Sequence, residues 1–206
     1  MNQDDKQPSR QEILIAAATL FSEQGYNGTS FAAVAKASNQ SKALVQYHFA
    51  SKENLWKSAV RHLWEQRNNA LPHYLDEQVL AELDNEAQSQ MIRQLCRGLI
   101  RFTADNPQWV KIMYLESSAP GPRLDWMVSE FIQQDFSSGI AMVELAQQRH
   151  LLPPADPMSV LYILGGTVIH YVNVAPITQR VMGFDPFSDA QIDQYVDNFI
   201  GILQRP

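Results

Sequence analysis

The chain has 206 residues and a formal net charge of −6 at pH 7, with 45 % hydrophobic and 10 % aromatic residues. A chain of this size can bury a substantial core, and its apolar content excludes an intrinsically disordered or fibrous protein. Its length fits one large domain, or a small domain that leads into a larger one.

The N-terminal stretch MNQDDKQPSRQ is polar and acidic, and no run of about 18 apolar residues occurs anywhere in the sequence. We therefore expect neither a signal peptide nor a membrane partner, and we expect a cytoplasmic location. The single cysteine, Cys96, cannot form a disulfide within the chain, which agrees with a reducing compartment.

The negative charge is unevenly distributed along the chain. Up to Glu65 there are seven Lys or Arg residues against six Asp or Glu, whereas the remainder has nine against sixteen. The first part therefore has a net charge of +1 and the remainder one of −7. Because a near-neutral first part can approach phosphate groups, the overall acidity does not exclude a nucleic-acid partner.

A first helix is predicted over residues 9–24. Ser9 and Glu12 have the spacing of a capping box, in which each side chain accepts a hydrogen bond from the other residue's free backbone N–H. Apolar residues then recur at helical spacing, and Gly25 is typical of a helix stop. Residues 1–8 are expected to form a flexible tail.

Two short helices are predicted next, separated by a polar break. Thr29 or Ser30 can cap the first of them, which ends at Ser38-Asn39-Gln40. Asn39 is the type of residue, other than glycine, that best tolerates a left-handed turn. Ser41 can cap the second short helix.

The rest of the sequence has only helical signatures. Ser51 can cap a fourth, long and amphipathic helix that continues to Leu71-Pro72. Further helices are predicted, between proline-containing breaks, over residues 73–83, 89–104, 107–118, 124–149, 157–174 and 188–204. Since no segment alternates as a strand would, the sequence predicts an all-α protein.

The two short helices, with the break between them, have the pattern of a helix-turn-helix, whose second helix enters the major groove of DNA. On that helix Leu44, Val45 and Phe49 are predicted to face inward. The outward positions carry small or hydrogen-bonding side chains: Ser41, Lys42, Ala43, Gln46, Tyr47 and His48. Gln can bond adenine through two hydrogen bonds, and Lys can reach guanine or phosphate. From residue types alone, this face is either a DNA-reading surface or an ordinary polar surface in solvent.

Residues 11–64 resemble the N-terminal domain of the TetR family of transcriptional repressors. The resemblance is carried, in order, by Ile13-Leu14, Ala16-Ala17, Leu20-Phe21, Gly25-Tyr26-Asn27-Gly28-Thr29-Ser30, Val34-Ala35, Ser41-Lys42, Tyr47-His48-Phe49 and Ser51-Lys52-Glu53-Asn54-Leu55. It implies an all-α, TetR-like fold, in which a three-helix helix-turn-helix domain is joined by a long helix to a larger helical domain. We expect residues 1–52 to be the DNA-binding domain and residues 53–206 the effector-binding and dimerisation domain.

The chain departs from the family pattern at the turn and in the reading helix. The family usually has Ala-Gly-Val where this chain has Ser38-Asn39-Gln40. Asn39 preserves the left-handed turn, whereas Gln40 replaces an aliphatic residue that packs inward, which predicts a looser turn. Gln46 replaces a frequent aromatic residue, which predicts the loss of one phosphate or thymine-methyl contact.

The resemblance also implies which residues touch DNA. The expected base contacts are Lys42, Ala43 and Gln46. The expected phosphate contacts are Thr29, Tyr47, His48 and Lys52. Ser30 and Ser41 begin the two short helices beside the DNA backbone, and Leu44 either touches a thymine methyl or faces the core.

Family members bind palindromic double-stranded operators as homodimers. The two subunits of such a homodimer meet through their last two long helices. The interface residues expected here are Leu161, Gly165, Ile169, Val172, Ile192, Tyr195 and Phe199. Glycine inside a helix costs about 1 kcal/mol relative to alanine, so Gly165-Gly166 suggests close packing against a neighbouring helix. That neighbour belongs either to a second subunit, as the resemblance favours, or to the same chain.

Family members are also released from DNA when a small molecule occupies the larger domain. Ligand sites are apolar cavities with a few polar groups. The candidates at helical spacings here are Arg97, Arg101, Trp109, Met113, Tyr114, Met127, Phe131, Tyr162 and His170. A plain hydrophobic core is the commoner explanation for the aromatic and methionine residues, and a solvated face or an ion pair is the commoner one for the arginines.

We find no catalytic, metal or cofactor motif in the sequence, and we expect no enzyme. Cys96 has no recognisable partner base, the five histidines form no i, i+4 pair, and no glycine-rich phosphate loop occurs. One alternative to a repressor remains, a ligand-binding or protein-partner module with weakened or lost DNA binding. It is kept open by the unusual Gln40 and Gln46.

Overall fold

The structure is a computed structural model that describes residues 3–71 and 82–204, and every regular element in these two ranges is helical. In chain order the elements are α1 (Gln3–Gly28), α2 (Phe31–Ala37), α3 (Lys42–Phe49), α4 (Lys52–Ala70), α5 (Asn85–Asp105), α6 (Gln108–Ser118), α7 (Pro122–Met127), a π-helical turn (Val128–Ile132), α8 (Gln133–Gln148), α9 (Pro157–Met182) and α10 (Asp189–Leu203). The predicted all-α fold class is confirmed.

Helix α1 is longer than predicted at both ends. It begins at Gln3, ahead of the proposed cap Ser9, and is assigned as helical to Gly28. Its backbone is nevertheless interrupted at Gly25, where φ is +70° and ψ is 175°. The predicted stop is therefore a sharp kink, because only a glycine adopts this left-handed backbone at little cost.

The short helices begin where their serines predicted. The Ser30 hydroxyl accepts the backbone N–H of Ala33 at 3.2 Å, and Ser41 accepts that of Leu44 at 3.1 Å. Each hydrogen bond satisfies one of the N–H groups left free at a helix start, so these caps fix the register of α2 and α3.

The fourth helix and the turn before the reading helix follow the same local rules. Ser51 accepts the backbone N–H of Asn54 at 3.1 Å and so caps α4. Asn39 has a φ of +54°, the left-handed conformation predicted for the turn.

The later helices differ from their predicted limits in three places. Most of the helix predicted over residues 73–83 lies within positions 72–81, which are outside the described residues. The single helix predicted over residues 124–149 is divided by the π-helical turn at Val128–Ile132. Helix α9 continues beyond residue 174 to Met182, where Gly183, with a φ of +75°, ends it.

Helix α9 is the one described helix that is long and apolar enough to cross a membrane by length and composition, a test that core helices of soluble proteins also pass.

The described residues form two compact units. The first contains residues 3–66 and 106–125, and the second contains residues 67–71, 82–105 and 126–204. In the first unit, α1 packs against α6 and the α2–α3 pair. Its core includes Trp56 and Trp64, each at most 2 % exposed, and Trp64 makes an edge contact with Trp109 at 5.8 Å between ring centroids.

The second unit is a helical core assembled from α5, α8, α9 and α10. Its largest completely buried side chains include Ile92, Ile100, Ile192 and Ile200. The pair Arg67–Asp135 lies in the same unit, with Arg67 Nη1 and Nη2 donating to the two carboxylate oxygens at 2.8 and 2.6 Å. The Arg67 side chain is 9 % exposed, so this ion pair is largely shielded from water.

Replacing Asp135 with Asn should lower the free energy of unfolding by about 2 kcal/mol, because the buried guanidinium loses its anionic partner while the volume of the side chain is kept. Urea denaturation followed by circular dichroism, at one fixed protein concentration, measures the change.

The matched control is Asp193→Asn, which also removes a carboxylate paired with an arginine, but one that is 55 % exposed. Exposed pairs contribute about 0–1 kcal/mol. Equal losses in the free energy of unfolding for the two variants would contradict the expectation that the Arg67–Asp135 pair stabilises the protein more than the exposed pair does.

Candidate nucleic-acid interface

The helix pair α2–α3 is held by a small apolar inner surface. Val34 on α2 and Val45 on α3 are fully buried, and Phe49 at the end of α3 is 3 % exposed. The turn between the helices is closed by backbone hydrogen bonds from Ser38 and Gln40, to the carbonyl groups of Val34 and Ala35 respectively, both at 2.9 Å. This arrangement has the connectivity of a helix-turn-helix.

Helix α3 therefore has one side in the core and the other in solvent. The exposed residues of the predicted reading face are Ser41, Lys42, Ala43, Gln46 and Tyr47, and Tyr47 is 70 % exposed. Leu44 is half-buried between the two sides. His48 is also half-buried, and its ring packs between those of Tyr47 and Phe49 at centroid distances of 5.5 and 6.0 Å.

Two residues predicted to contact phosphate are engaged within the protein. Thr29 is 1 % exposed, and its hydroxyl donates to the Gly25 carbonyl oxygen at 3.0 Å, so its side chain faces inward. Lys52, at the start of α4, is half-buried, and its Nζ donates to the Asn27 carbonyl oxygen at 3.3 Å. Ser30, by contrast, is exposed beside the N-terminus of α2.

The unusual Gln40 has a polar partner on α1. Its Nε2 donates to Glu12 Oε2 at 2.9 Å, which connects the turn to the first helix. This hydrogen bond replaces the inward apolar contact that an aliphatic residue would make at the same place.

The ring beneath Lys52 was not among the predicted site residues. Lys52 Nζ lies 4.6 Å from the centroid of the Tyr26 ring, within the range of a cation–π interaction. Tyr26 directly follows the kink at Gly25, so helical spacing along α1 does not predict the direction of its side chain.

The residues predicted to line a ligand site are divided between the two units. Trp109, Met113 and Tyr114 lie in the first unit, where Trp109 is buried and Tyr114 is 53 % exposed. The second unit contains the other six: Arg97, Arg101, Met127, Phe131, Tyr162 and His170. Met127 is fully buried, whereas Tyr162 and His170 are exposed on α9.

The two predicted ligand arginines form ion pairs with α10. Arg97 Nε lies 2.6 Å from Asp193 Oδ1, and its Nη2 lies 3.0 Å from Asp197 Oδ1. Arg101 pairs with Asp189. Arg97 and Arg101 therefore form ion pairs, which the sequence had left open as an alternative to ligand binding. These ion pairs connect α5 to α10.

A polar residue that the sequence did not single out is buried in the second unit. Gln88 on α5 is 0 % exposed, and neither its Nε2 nor its Oε1 has a hydrogen-bond partner among the described residues. An unpaired buried amide costs about 1–3 kcal/mol. Such a group is unusual in a folded protein and calls for an explanation.

The residues predicted at a dimer interface mostly pack within the chain itself. Val172, Ile192 and Phe199 belong to the buried core of the second unit, at 8 %, 1 % and 9 % exposure. Tyr195 donates its hydroxyl to the Thr167 carbonyl oxygen at 3.0 Å, which joins α10 to α9. Leu161, Gly165 and Ile169 are partly exposed.

The outward side of α9 carries a different set of residues. We call this set the α9 stripe: Tyr162, Ile163, Gly166, His170, Asn173, Ile177 and Val181, all exposed. Apart from the adjacent pair Tyr162-Ile163, they recur every three or four positions and so lie along one face of the helix.

Cys96, the single cysteine of the chain, is buried. Burial raises the pKa of the Cys96 thiol to about 12, so the thiolate is scarce near neutral pH. Within residues 3–71 and 82–204, no group of three or more His, Cys, Asp or Glu side chains could hold a metal ion.

Comparisons with known proteins agree with this geometry. Residues 13–59, which include α2 and α3, match the family described as "Bacterial regulatory proteins, tetR family". The chain is 23 % identical, over 194 residues, to the HTH-type transcriptional regulator RutR of Escherichia coli K12, which covers 94 % of this chain and 88 % of RutR. It is 39 % identical over 62 residues to the biofilm operon regulator IcaR of Staphylococcus aureus strain Newman, covering 30 % of this chain and 33 % of IcaR.

The fold is shared with solved regulators. The crystal structure of AibR in complex with isovaleryl coenzyme A and operator DNA has a TM-score of 0.70 and 19 % identity, and the alignment covers 96 % of this chain and 99 % of AibR. At this identity the likeness concerns the fold alone. Together the two findings show that residues 13–59 match the tetR family of bacterial regulatory proteins, and that the chain shares the fold of solved regulators.

Proposed function

We propose that the protein is a ligand-responsive repressor that binds a palindromic operator as a homodimer and leaves the DNA when a small molecule occupies its second unit. The observation that carries the proposal is the exposed polar face of α3, in a helix-turn-helix that matches the tetR family. A bacterial regulator of this kind acts in the cytoplasm, which supports the predicted location.

Within the interface we assign base reading to Lys42, Ala43 and Gln46. The three residues are exposed on the first turns of α3, and the N-terminal part of a recognition helix is the part that meets base edges. Ala43 has a small side chain, which permits close approach to the groove wall. Lys and Gln supply the hydrogen bonds that distinguish guanine and adenine.

Phosphate binding is assigned to Ser30, Ser41, Tyr47, His48 and Lys52, with Thr29 limited to its backbone N–H. The Tyr47 side chain is 70 % exposed, and the Lys52 ammonium has three donors, of which one is used by Asn27. Phosphate contacts of this type hold the protein in register without reading sequence.

Lys52→Ala should weaken binding to all duplexes and lower the slope of log K against log salt by about 1, because one phosphate contact releases one counterion. Gln46→Ala should instead change the preference at particular base pairs. Titration of operator and randomised duplexes at several salt concentrations measures both effects.

The control is Lys111→Ala, which removes an exposed lysine from α6 and so makes the same change in net charge. It should leave the slope unchanged. An equal loss on every sequence from Gln46→Ala would remove that residue from base reading. Absence of any salt-sensitive complex in the unmodified protein would favour a ligand-binding or protein-partner module instead.

The α9 stripe is proposed as the centre of the homodimer interface. Tyr162, Ile177 and Val181 are 63 %, 62 % and 74 % exposed, and several large apolar side chains left in solvent along one helix favour an interface. A Cβ added at Gly165 or Gly166 would meet nothing within 4 Å, so close packing against a helix of residues 3–71 or 82–204 does not explain these two glycines. A helix of a second copy would explain them. The corresponding two-fold axis fits a palindromic operator.

Ile177→Glu should convert the dimer to a monomer at micromolar concentration, because it introduces a charge into an apolar interface. Sedimentation velocity measures the change. The matched control is Gln133→Glu, the same charge on an exposed residue of α8. An unmodified protein that sediments as a monomer, or an Ile177→Glu variant that stays dimeric, would contradict the assignment.

We assign effector binding to the second unit, with Gln88 as a polar anchor. Its unpaired N–H and C=O groups would be satisfied by a ligand with complementary donors and acceptors. The arginines of α5 are poor alternatives, because Arg97 and Arg101 are neutralised by aspartates of α10. The AibR complex, which contains isovaleryl coenzyme A together with operator DNA, supports an effector role for this fold.

Gln88→Met should raise the free energy of unfolding of the ligand-free protein by about 1 kcal/mol, since it removes an unsatisfied buried amide at nearly constant volume. The same variant should lose stabilisation by the effector. A thermal-shift panel of metabolites identifies that compound, because a ligand at 100 times its Kd stabilises the folded state by about 2.7 kcal/mol.

Two results would contradict the effector assignment. One is a Gln88→Met variant that is stabilised by the compound as strongly as the unmodified protein. The other is a compound that stabilises the protein but leaves its affinity for DNA unchanged, since coupling between two sites is reciprocal.

A further inference from the structure

Tyr26 is in contact with two cations that come from distant parts of the chain. Lys52 Nζ lies 4.6 Å from the centroid of its ring, and Arg123 Cζ lies 4.4 Å from the same centroid. The ring also stacks on Phe21 at 6.1 Å and meets the edge of Trp56 at 6.4 Å. Because Phe21 and Trp56 are 1 % exposed, the Tyr26 ring rests on immobile neighbours.

Arg123, at the start of α7, is itself held in a fixed position. Its Nε lies 2.9 Å from each carboxylate oxygen of Glu116. Glu116 is 6 % exposed, so the carboxylate is anchored in the protein rather than in solvent. The Arg123 Cζ also lies 5.9 Å from the centroid of the Trp56 ring.

The position of Lys52 depends on this arrangement. Lysine has a long flexible side chain, and ordering it costs conformational entropy when it binds a phosphate. The Tyr26 ring and the Asn27 carbonyl oxygen hold the Lys52 ammonium near one position before DNA arrives. Two of its three N–H donors are left for a phosphate. Preorganisation of this kind increases affinity.

We propose that Arg123 is a positioning residue for DNA binding, which fixes the Tyr26 ring on which the Lys52 ammonium rests. The inference rests on the proposed phosphate contact of Lys52. It extends the DNA-binding assembly to Glu116 and Arg123, which lie outside the family-matched residues 13–59 and outside the predicted domain 1–52. Residues 106–125 belong to the same compact unit as the helix-turn-helix, which makes this contribution possible.

The test is a double-mutant cycle between Arg123 and Lys52, measured as affinity for one duplex selected from a random pool. Arg123→Gln should weaken binding about fivefold, the equivalent of one cation–π contact, and should lower the salt slope toward that of Lys52→Ala. In the Lys52→Ala background, Arg123→Gln should cause no further loss, because the residue acts through Lys52. Arg123→Lys, which retains a cation, should recover part of the affinity.

A second variant keeps the test decisive if Arg123→Gln destabilises the protein by leaving Glu116 without its partner. Tyr26→Leu retains the Arg123–Glu116 pair and removes only the ring that both cations contact. It should weaken DNA binding by a similar factor, again only while Lys52 is present. Arg180→Gln, on α9 in the other unit, is the control for loss of an arginine and should bind DNA as the unmodified protein does.

The outcomes separate this inference from the proposed function. If the unmodified protein forms no salt-sensitive complex, or if Lys52→Ala binds DNA normally, both the phosphate contact and the inference are overturned. If Lys52→Ala weakens binding as expected, but Arg123→Gln and Tyr26→Leu have no effect or cause the same loss with and without Lys52, the inference alone is overturned.

Discussion

The packing of two very short helices against each other and against α1 is the constraint on which the proposed DNA-reading surface depends. Helix α2 has seven residues and α3 has eight, whereas isolated helices shorter than about 12–15 residues are marginal in water. Their serine caps satisfy a few backbone N–H groups, but most of the stabilisation comes from burying Val34, Val45 and Phe49. Burial of that side in turn leaves the opposite side of α3 in solvent.

In the second unit, apolar packing and ion pairs have separate roles. Its apolar residues form the core, and three arginines of α5 neutralise the facing aspartates of α10. Because these charges are already compensated, an effector gains little from meeting them. Gln88 differs in that its hydrogen-bonding groups are buried and have no partner within residues 3–71 and 82–204. The effector proposed above would therefore satisfy these groups without displacing an interaction seen there.

Local sequence determined the helices and much of the reading surface. Ser30, Ser41 and Ser51 act as caps, and Gly25 and Asn39 change the direction of the chain, because each effect involves backbone groups within a few residues. The inward and outward sides of α3 followed from helical spacing for the same reason. Burial of the Thr29 side chain did not follow, since its hydroxyl bonds to the carbonyl at the kink.

Only the tertiary structure decided which surfaces and charges meet across long separations in the chain. The apolar residues of α9 and α10 are spread around both helices, so spacing alone could not tell that Ile192 and Phe199 face the core while Tyr162 and Ile177 face solvent. The pairing of Arg97 with Asp193, and the meeting of Lys52 and Arg123 at Tyr26, likewise have no periodic signal. Contacts between remote residues depend on how whole helices pack, whereas caps and turns depend on their immediate neighbours.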